Sequence, residues 1–245
     1  MNAHRLEIDH VFVFIEPDGP EIDALRRLGL VETYRRAHPG QGTANVCFAF
    51  DNLYLELLWL TSEAEARSGP IARTRLWERS RWRTLGTCPF GIAVRGDLAD
   101  AGVPVWDYRP PYLPSGMGIP VATDSDDPMQ PMLFVSPGRE APRDWPAERR
   151  GRLQRDAGWG EARGLVLRLA AGVAPCAALV SLAAASGLTL LPGEGAAQGL
   201  TLDLVGVDGS MAGTLPIPAV PGVSGDFGGL QSVRSLEPPS PKGSR

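Results

Sequence analysis

Lysine is almost missing from this chain, and an excess of basic charge is missing with it. The 245 residues hold 24 lysines and arginines against 28 aspartates and glutamates, and Lys242 is the one lysine. A net charge of −4 and a pI near 5.5 leave no basic face of the kind that tracks a phosphate backbone, which excludes nucleic acid as a partner. Cysteine is scarce as well. Cys47, Cys88 and Cys176 are odd in number and far apart, without the short spacings of zinc sites and redox motifs. They are expected to be reduced, mostly buried thiols. Long apolar runs are lacking: the most apolar stretch, Leu165 to Leu191, is broken by Arg168, Gly172 and Pro175, which excludes a membrane span. The opening Met1-Asn2-Ala3-His4-Arg5 has no apolar secretion core, so a cytoplasmic protein is expected. The bias toward Arg, Ala, Gly and Pro points to a GC-rich bacterial genome. Neither a Gly-rich phosphate loop nor a Ser-His-Asp signature occurs.

What is present is an ordinary globular composition, 43% hydrophobic and 21% charged, over a length that suits one large domain or two small ones. Leu6 to Ile15 reads as a strand with Ile8, His10, Phe12 and Phe14 on one face and Asp9, Val11 and Val13 on the other. Ile22, Leu25 and Leu28 then follow helical spacing, from a cap at Asp18 or Gly19 to a stop at Gly29. Strands follow at Val31–Arg36, Thr43–Phe50 and Leu53–Leu60, joined by turns at His38–Gly42 and Asp51–Asn52. The order over residues 6–60 is β-α-β-β-β. Ala64 to Leu85 reads as a helical connector whose arginine stems and tryptophans lie over the sheet; the alternative is an anion or partner surface. A second module, 88–138, opens with a strand at Phe90–Arg95, closes with one at Pro131–Val135, and holds a long Pro- and Gly-rich loop between them. Residues 139–163 read as a linker, 164–220 as a further partial βαββ module, and 221–245 as a disordered tail.

Leu6-Glu7-Ile8-Asp9-His10-Val11 resembles the opening strand of the vicinal oxygen chelate superfamily, which contains glyoxalases, extradiol dioxygenases and bleomycin-resistance proteins. His38-Pro39-Gly40-Gln41-Gly42-Thr43-Ala44-Asn45, followed by Tyr54-Leu55-Glu56-Leu57-Leu58-Trp59, is similar to its glyoxalase-like domain branch. The resemblance covers 6–60 best, and 88–138 through Pro89-Phe90-Gly91 and Gln130 to Phe134. It implies an α+β fold, with repeated βαβββ modules whose mixed curved sheets form a half-open cup over residues 1–138; the element order alone adds a partial third module at the C-terminus. In the metal-dependent members, a His or Gln on the first strand and a Glu on the last strand of each module bind one divalent ion. Carried over, His10 and Glu56 supply half of that set. The slots for the other half fall near Phe90 or Gly91 and near Met132 or Phe134, none of them a hard-metal ligand.

Glu56 sits mid-strand among apolar neighbours, where a carboxylate is costly unless paired, protonated or bound to a cation. His10 is placed alike. Facing one cavity, the two suit a divalent ion (Zn, Mn, Fe or Ni) or a catalytic acid–base pair. Equally, they form a buried hydrogen-bonded pair with no metal at all. His38, Thr43 and Asn45 are either ligand-binding groups at the cup's mouth or the polar residues of a turn that Gly40 and Gly42 permit. Trp59, with Phe12 and Tyr54, is either a wall of the binding site or core. The function expected is binding of a small oxygenated metabolite. The protein would act as a divalent-metal lyase, isomerase or dioxygenase, or as a metal-free sequestering protein of the bleomycin-resistance type. It is expected to be a monomer or homodimer, free of nucleic acid and membrane.

Overall fold

The computed structural model describes residues 6–193, 198–209 and 212–219. The tail expected at 221–245 lies outside them. β1 (Glu7–Phe14) leads into α1 (Pro20–Arg27), where Gly19 is the extended cap and Pro20 occupies the first turn, a position whose N–H has no helical partner anyway. Gly29, at φ +83°, takes the left-handed conformation that ends the helix. β2 (Tyr34–His38), β3 (Thr43–Ala49) and β4 (Tyr54–Leu60) complete the first module. β2 starts later than the expected Val31 because residues 31–33 are held elsewhere. Val31 exchanges two hydrogen bonds with the buried Gln154 side chain (2.9 and 2.8 Å), and the Thr33 hydroxyl donates to the Arg152 carbonyl (2.7 Å).

The connector is four short helices in place of one: α2 (Glu63–Ala66), α3 (Gly69–Ala72), α4 (Leu76–Ser80) and α5 (Trp82–Leu85). Gly69-Pro70 and the left-handed Arg75 (φ 58°) interrupt it. β5 (Phe90–Arg95) opens the second module, with a 3-10 turn at Ala99–Ala101 where the first module has its helix. β6 (Val105–Tyr108), β7 (Ile119–Ala122) and β8 (Met132–Val135) follow. β7 lies in the stretch expected as loop; Pro120 masks it, because proline cannot donate to a ladder.

Both modules share one eight-stranded sheet, ordered β2-β3-β4-β1-β5-β8-β7-β6. β1 runs parallel to β4, β5 runs parallel to β8, and β1 meets β5 antiparallel at the seam. The fold is therefore α+β with mixed sheets built from βαβββ modules. After α6 (Ala147–Arg150), a second sheet forms from β9 (Trp159–Arg168), β10 (Leu188–Leu191), β11 (Gln198–Gly206) and β12 (Ala212–Ala219), with α7 (Ala177–Ala185) between β9 and β10. β9 begins inside the segment read as a linker, and β12 adds one strand to the expected βαββ. Its order, β10-β9-β11-β12, differs from the first two modules: β9 pairs with the strand after its helix, whereas β1 and β5 pair with the last strand of their own module.

The two sheets meet at the β3–β4 hairpin. The Asn52 amide donates to the Ala162 carbonyl (2.7 Å) and accepts from the Ala162 N–H (2.9 Å), while Asp51 pairs with Arg155 (2.7 and 3.0 Å). Val11, Phe14, Phe48, Leu55, Phe90 and Ile92 are fully buried in the main core, each stabilising it by about 1.5–3 kcal/mol. Cys47 and Cys88 are buried free thiols and Cys176 is half-buried. No helix among the described residues is long and apolar enough to cross a membrane.

Candidate active site

The inner face of the large sheet lines a half-open cavity of about 100 Å³. Strand alternation decides what enters it. His10 and Phe12 come from β1, Arg36 and His38 from β2, and Tyr54 and Glu56 from β4. Met132 and Phe134 on β8 form an apolar wall, and Tyr112 closes over from the loop between β6 and β7. Burial pushes the Tyr34, Tyr54 and Tyr112 phenols up, so they stay protonated.

His10 and Glu56 face each other, with Nε2 and Oε2 3.6 Å apart. That exceeds a hydrogen bond. Each is instead held from behind. The Asp9 carboxylate takes the Nδ1–H of His10 at 2.6 Å, and Arg95 donates to the other Asp9 oxygen at 2.7 Å. Burial alone would raise the Asp9 carboxyl, but the hydrogen bond and charge of His10 and the charge of Arg95 hold it below the usual carboxylate range. The Asn45 amide donates to Glu56 Oε1 at 2.5 Å. The imidazole also stacks on Tyr54, at 4.3 Å between centroids, and meets Phe134 edge-on at 5.4 Å. Adjacent strand residues normally point to opposite faces, so Asp9 could not reach His10 in a regular strand. The β1–β5 register slips between Ile8 and His10, and that bulge turns Asp9 toward its neighbour.

His38 closes β2 rather than lying in the turn after it. Its Nδ1 is 2.9 Å from the Thr43 hydroxyl, which accepts from Gln41 Nε2 at 2.7 Å, and the Tyr108 hydroxyl donates to Gln41 Oε1 at 2.7 Å. The chain is satisfied when Thr43 donates to His38 Nδ1, leaving the imidazole neutral with its proton on Nε2. Burial lowers the His38 pKa in keeping with this, helped by the Arg36 and His10 charges and opposed by Glu56. Thr43 is thus spent on positioning His38. Asn45 lines the cavity, and its Oδ1 is buried without a hydrogen-bond partner. Trp59 does not reach the cup. It alternates away from Glu56 and Leu58 on β4, and the Arg35 guanidinium sits 6.0 Å from its ring.

Sequence reasoning brought His10, Glu56, His38 and Asn45 to one cavity and missed Asp9, Arg95, Gln41 and Arg36. Arg36 was legible in principle. Tyr34, Arg36 and His38 alternate onto one face as soon as β2 is extended to His38. Asp9 had no such signal, since its orientation depends on the bulge.

For a divalent ion the cup supplies His10 Nε2 and Glu56 Oε2. Among the described residues, no group of three or more His, Cys, Asp or Glu is placed to hold a metal. Met132 and Phe134, near the slot where the resemblance would put the second module's Glu, line the cavity with apolar side chains. Catalytic sites normally have three protein ligands, so this donor set does not fit a resident ion.

Two βαβββ modules sharing one sheet around a half-open cup define a glyoxalase-type fold. Residues 8–105 match the family model described as a glyoxalase-like domain. Over these residues the chain is similar to the glyoxalase-like domains of the vicinal oxygen chelate superfamily. No curated protein matches the chain. Among solved structures, a hypothetical protein from Staphylococcus aureus is 13% identical at a TM-score of 0.39, over 67% of this chain and 70% of that one. A methylmalonyl-CoA epimerase variant from Streptomyces coelicolor, in complex with 2-nitronate-propionyl-CoA, is 18% identical at 0.36, over 54% and 97%. A mutant of 4-hydroxymandelate synthase from Streptomyces coelicolor is 16% identical at 0.42, over 90% and 66%. At these TM-scores the likenesses carry no inference about chemistry.

Proposed function

We propose that the cup binds a small oxygenated metabolite and that His10 and Glu56 move a proton on it. The 3.6 Å gap between Nε2 and Oε2 carries this reading. A purely structural pair would close to a hydrogen bond of about 2.7–3.2 Å. Here each group is oriented by another partner, Asp9 or Asn45, and keeps its cavity-facing atom unspent. When one member takes a proton from the ligand, the other stands beside it to return it. Asp9 stabilises the imidazolium whenever His10 carries the extra charge, as an orienting carboxylate does in other histidine-based sites. Asn45 Oδ1 accepts a hydroxyl or N–H of the ligand, and the neutral His38 and the phenols donate to its oxygens. The walls of Phe12, Met132 and Phe134 hold its carbon body and keep water out.

The test is hydrogen exchange. Pyruvate, oxobutyrate, levulinate and their ethyl esters are incubated with the protein in deuterium oxide and followed by proton NMR. The expected result is enzyme-dependent loss of the signal beside the carbonyl in at least one compound. That exchange should fall by about 100-fold or more in His10→Gln and Glu56→Gln and be indifferent to chelator. Exchange in both variants at the wild-type rate would sink the acid–base assignment. Exchange abolished by chelator and restored by Mn²⁺ or Zn²⁺ would overturn the metal-independent reading. The apolar wall of Met132 and Phe134 favours a second reading, sequestration of a ligand without chemistry. Ligand-induced stabilisation with no exchange would establish that reading instead.

A further inference from the structure

Arg36 stands on β2 opposite Asn45 on β3, and its guanidinium lines the cup. Among the described residues, no carboxylate lies within ion-pair distance of it; its close contact is the ring of Tyr112, 5.2 Å from the guanidinium carbon. Nearby arginines are differently placed. Arg35, on the opposite face of the same strand, is taken by Glu32 and Asp18, Arg26 by Asp23 and Glu32, and Arg95 by Asp9. Glu56, the acid in the cavity lining, is held by Asn45 and faces His10, so it does not neutralise Arg36. Arg36 is exposed at the rim of the cavity, where a guanidinium without a counter-ion adds little to the fold and is free to recognise an anion.

We infer that the ligand carries a carboxylate that docks on Arg36, a reading that rests on the cup being the ligand site. The guanidinium presents two parallel N–H donors, the fork that a carboxylate accepts. The charge count favours one negative charge over a phosphate dianion. Among the described residues lining the cavity, Arg36 is the single full-time cation, and Glu56 already contributes a carboxylate nearby. A dianion would leave unbalanced negative charge in a partly enclosed site. Placement also follows. Asn45 lies opposite Arg36 on the neighbouring strand and reaches Glu56 on β4 through its amide, so a ligand anchored on Arg36 extends over Asn45 toward the acid–base pair. The ring of Tyr112 covers the guanidinium from the loop side, and the body of the ligand extends toward Phe12, Met132 and Phe134.

Matched probes test this directly. Phenyllactate, hydrocinnamate and levulinate are titrated against the full chain by ligand-observed NMR, each beside its own primary amide. At least one acid is expected to bind about tenfold or more tightly than its amide, a preference that added salt weakens. In Arg36→Gln, acid and amide should bind equally at an unchanged melting temperature, because the exposed Arg36 side chain has no ion pair to lose. Arg36→Lys should restore part of the preference. Amides that bind as well as acids, an acid preference that survives Arg36→Gln, or an absence of binding by all three acids would each overturn the assignment. Acid selectivity without proton exchange would defeat the acid–base reading and leave this one standing. Exchange on acids and esters alike, with no acid preference in binding, would do the reverse.

Discussion

Single side chains in this cup are oriented from behind and left open in front. Arg95 holds Asp9, Asp9 holds His10, and Asn45 holds Glu56, so the two facing groups need not satisfy each other. His38 is treated in the same way by Thr43 and Gln41. Its burial has a consequence for stability. Desolvation sets its pKa below the ordinary 6.5, with the Arg36 and His10 charges acting in the same direction and Glu56 against them. In the unfolded chain the residue protonates at its ordinary value, so the unfolded state binds the proton first as pH falls. The contribution of His38 to stability is therefore complete above 6.5 and is lost as pH drops through the folded value. The melting temperature is expected to fall between about pH 7.5 and about pH 5, and to fall less in His38→Gln. Equal slopes for the two proteins would contradict this. The depressed Asp9 carboxyl acts below 3.8, outside that window.

Among the elements, the β1–β5 seam does most to shape the cup. Gly91 on β5 stands opposite Phe12 on β1, and a Cβ added there would run into the Phe12 ring. The resemblance put one of the missing ligand slots at Phe90 or Gly91. The structure instead uses the glycine as a seat for an aromatic ring. Gly91→Ala is expected to push Phe12 off that seat at a cost of about 1–3 kcal/mol, the usual range for overpacking. Denaturant unfolding would measure it, and a loss below the scatter of the method would show that the ring has room to move. The strands of the first module were legible from alternation in Leu6–Ile15 and Tyr54–Leu60. β2 was read as starting too early, at Val31, because Val31 and Thr33 belong to contacts with Gln154 and Arg152, more than a hundred positions away. No local pattern announces such a partner.

Across the whole molecule, Arg79 ties the connector to the second module. The arginine-rich stretch reads as a solvated face, yet Arg79 is 0% exposed. Its guanidinium donates to the carbonyls of Gln130, Ser125 (3.0 Å) and Cys88 (3.2 Å). Burial lowers its pKa to about 10, still charged at neutral pH. These carbonyls belong to the loop before β8 and to the start of β5, so α4 fixes the edge of the apolar wall that Met132 and Phe134 present. Arg79→Met would leave buried carbonyls without a donor at about 1–3 kcal/mol each. The expected loss is about 3 kcal/mol or more, or roughly 6–12 °C in melting temperature for a chain of this size. A shift under about 2 °C would mean that other donors replace it.

The sequence by itself determined the α+β class and the first βαβββ module, because strand alternation is a local signal, whereas the facing of His10 and Glu56 was what the family resemblance implied. Tertiary structure alone decided how the pair is held. The bulge that turns Asp9 onto His10, the 3.6 Å gap to Glu56 and the unpaired guanidinium of Arg36 depend on strands that meet only after folding. The third unit likewise took its strand order from contacts with the β3–β4 hairpin and from its own sheet, which no periodicity along the chain encodes.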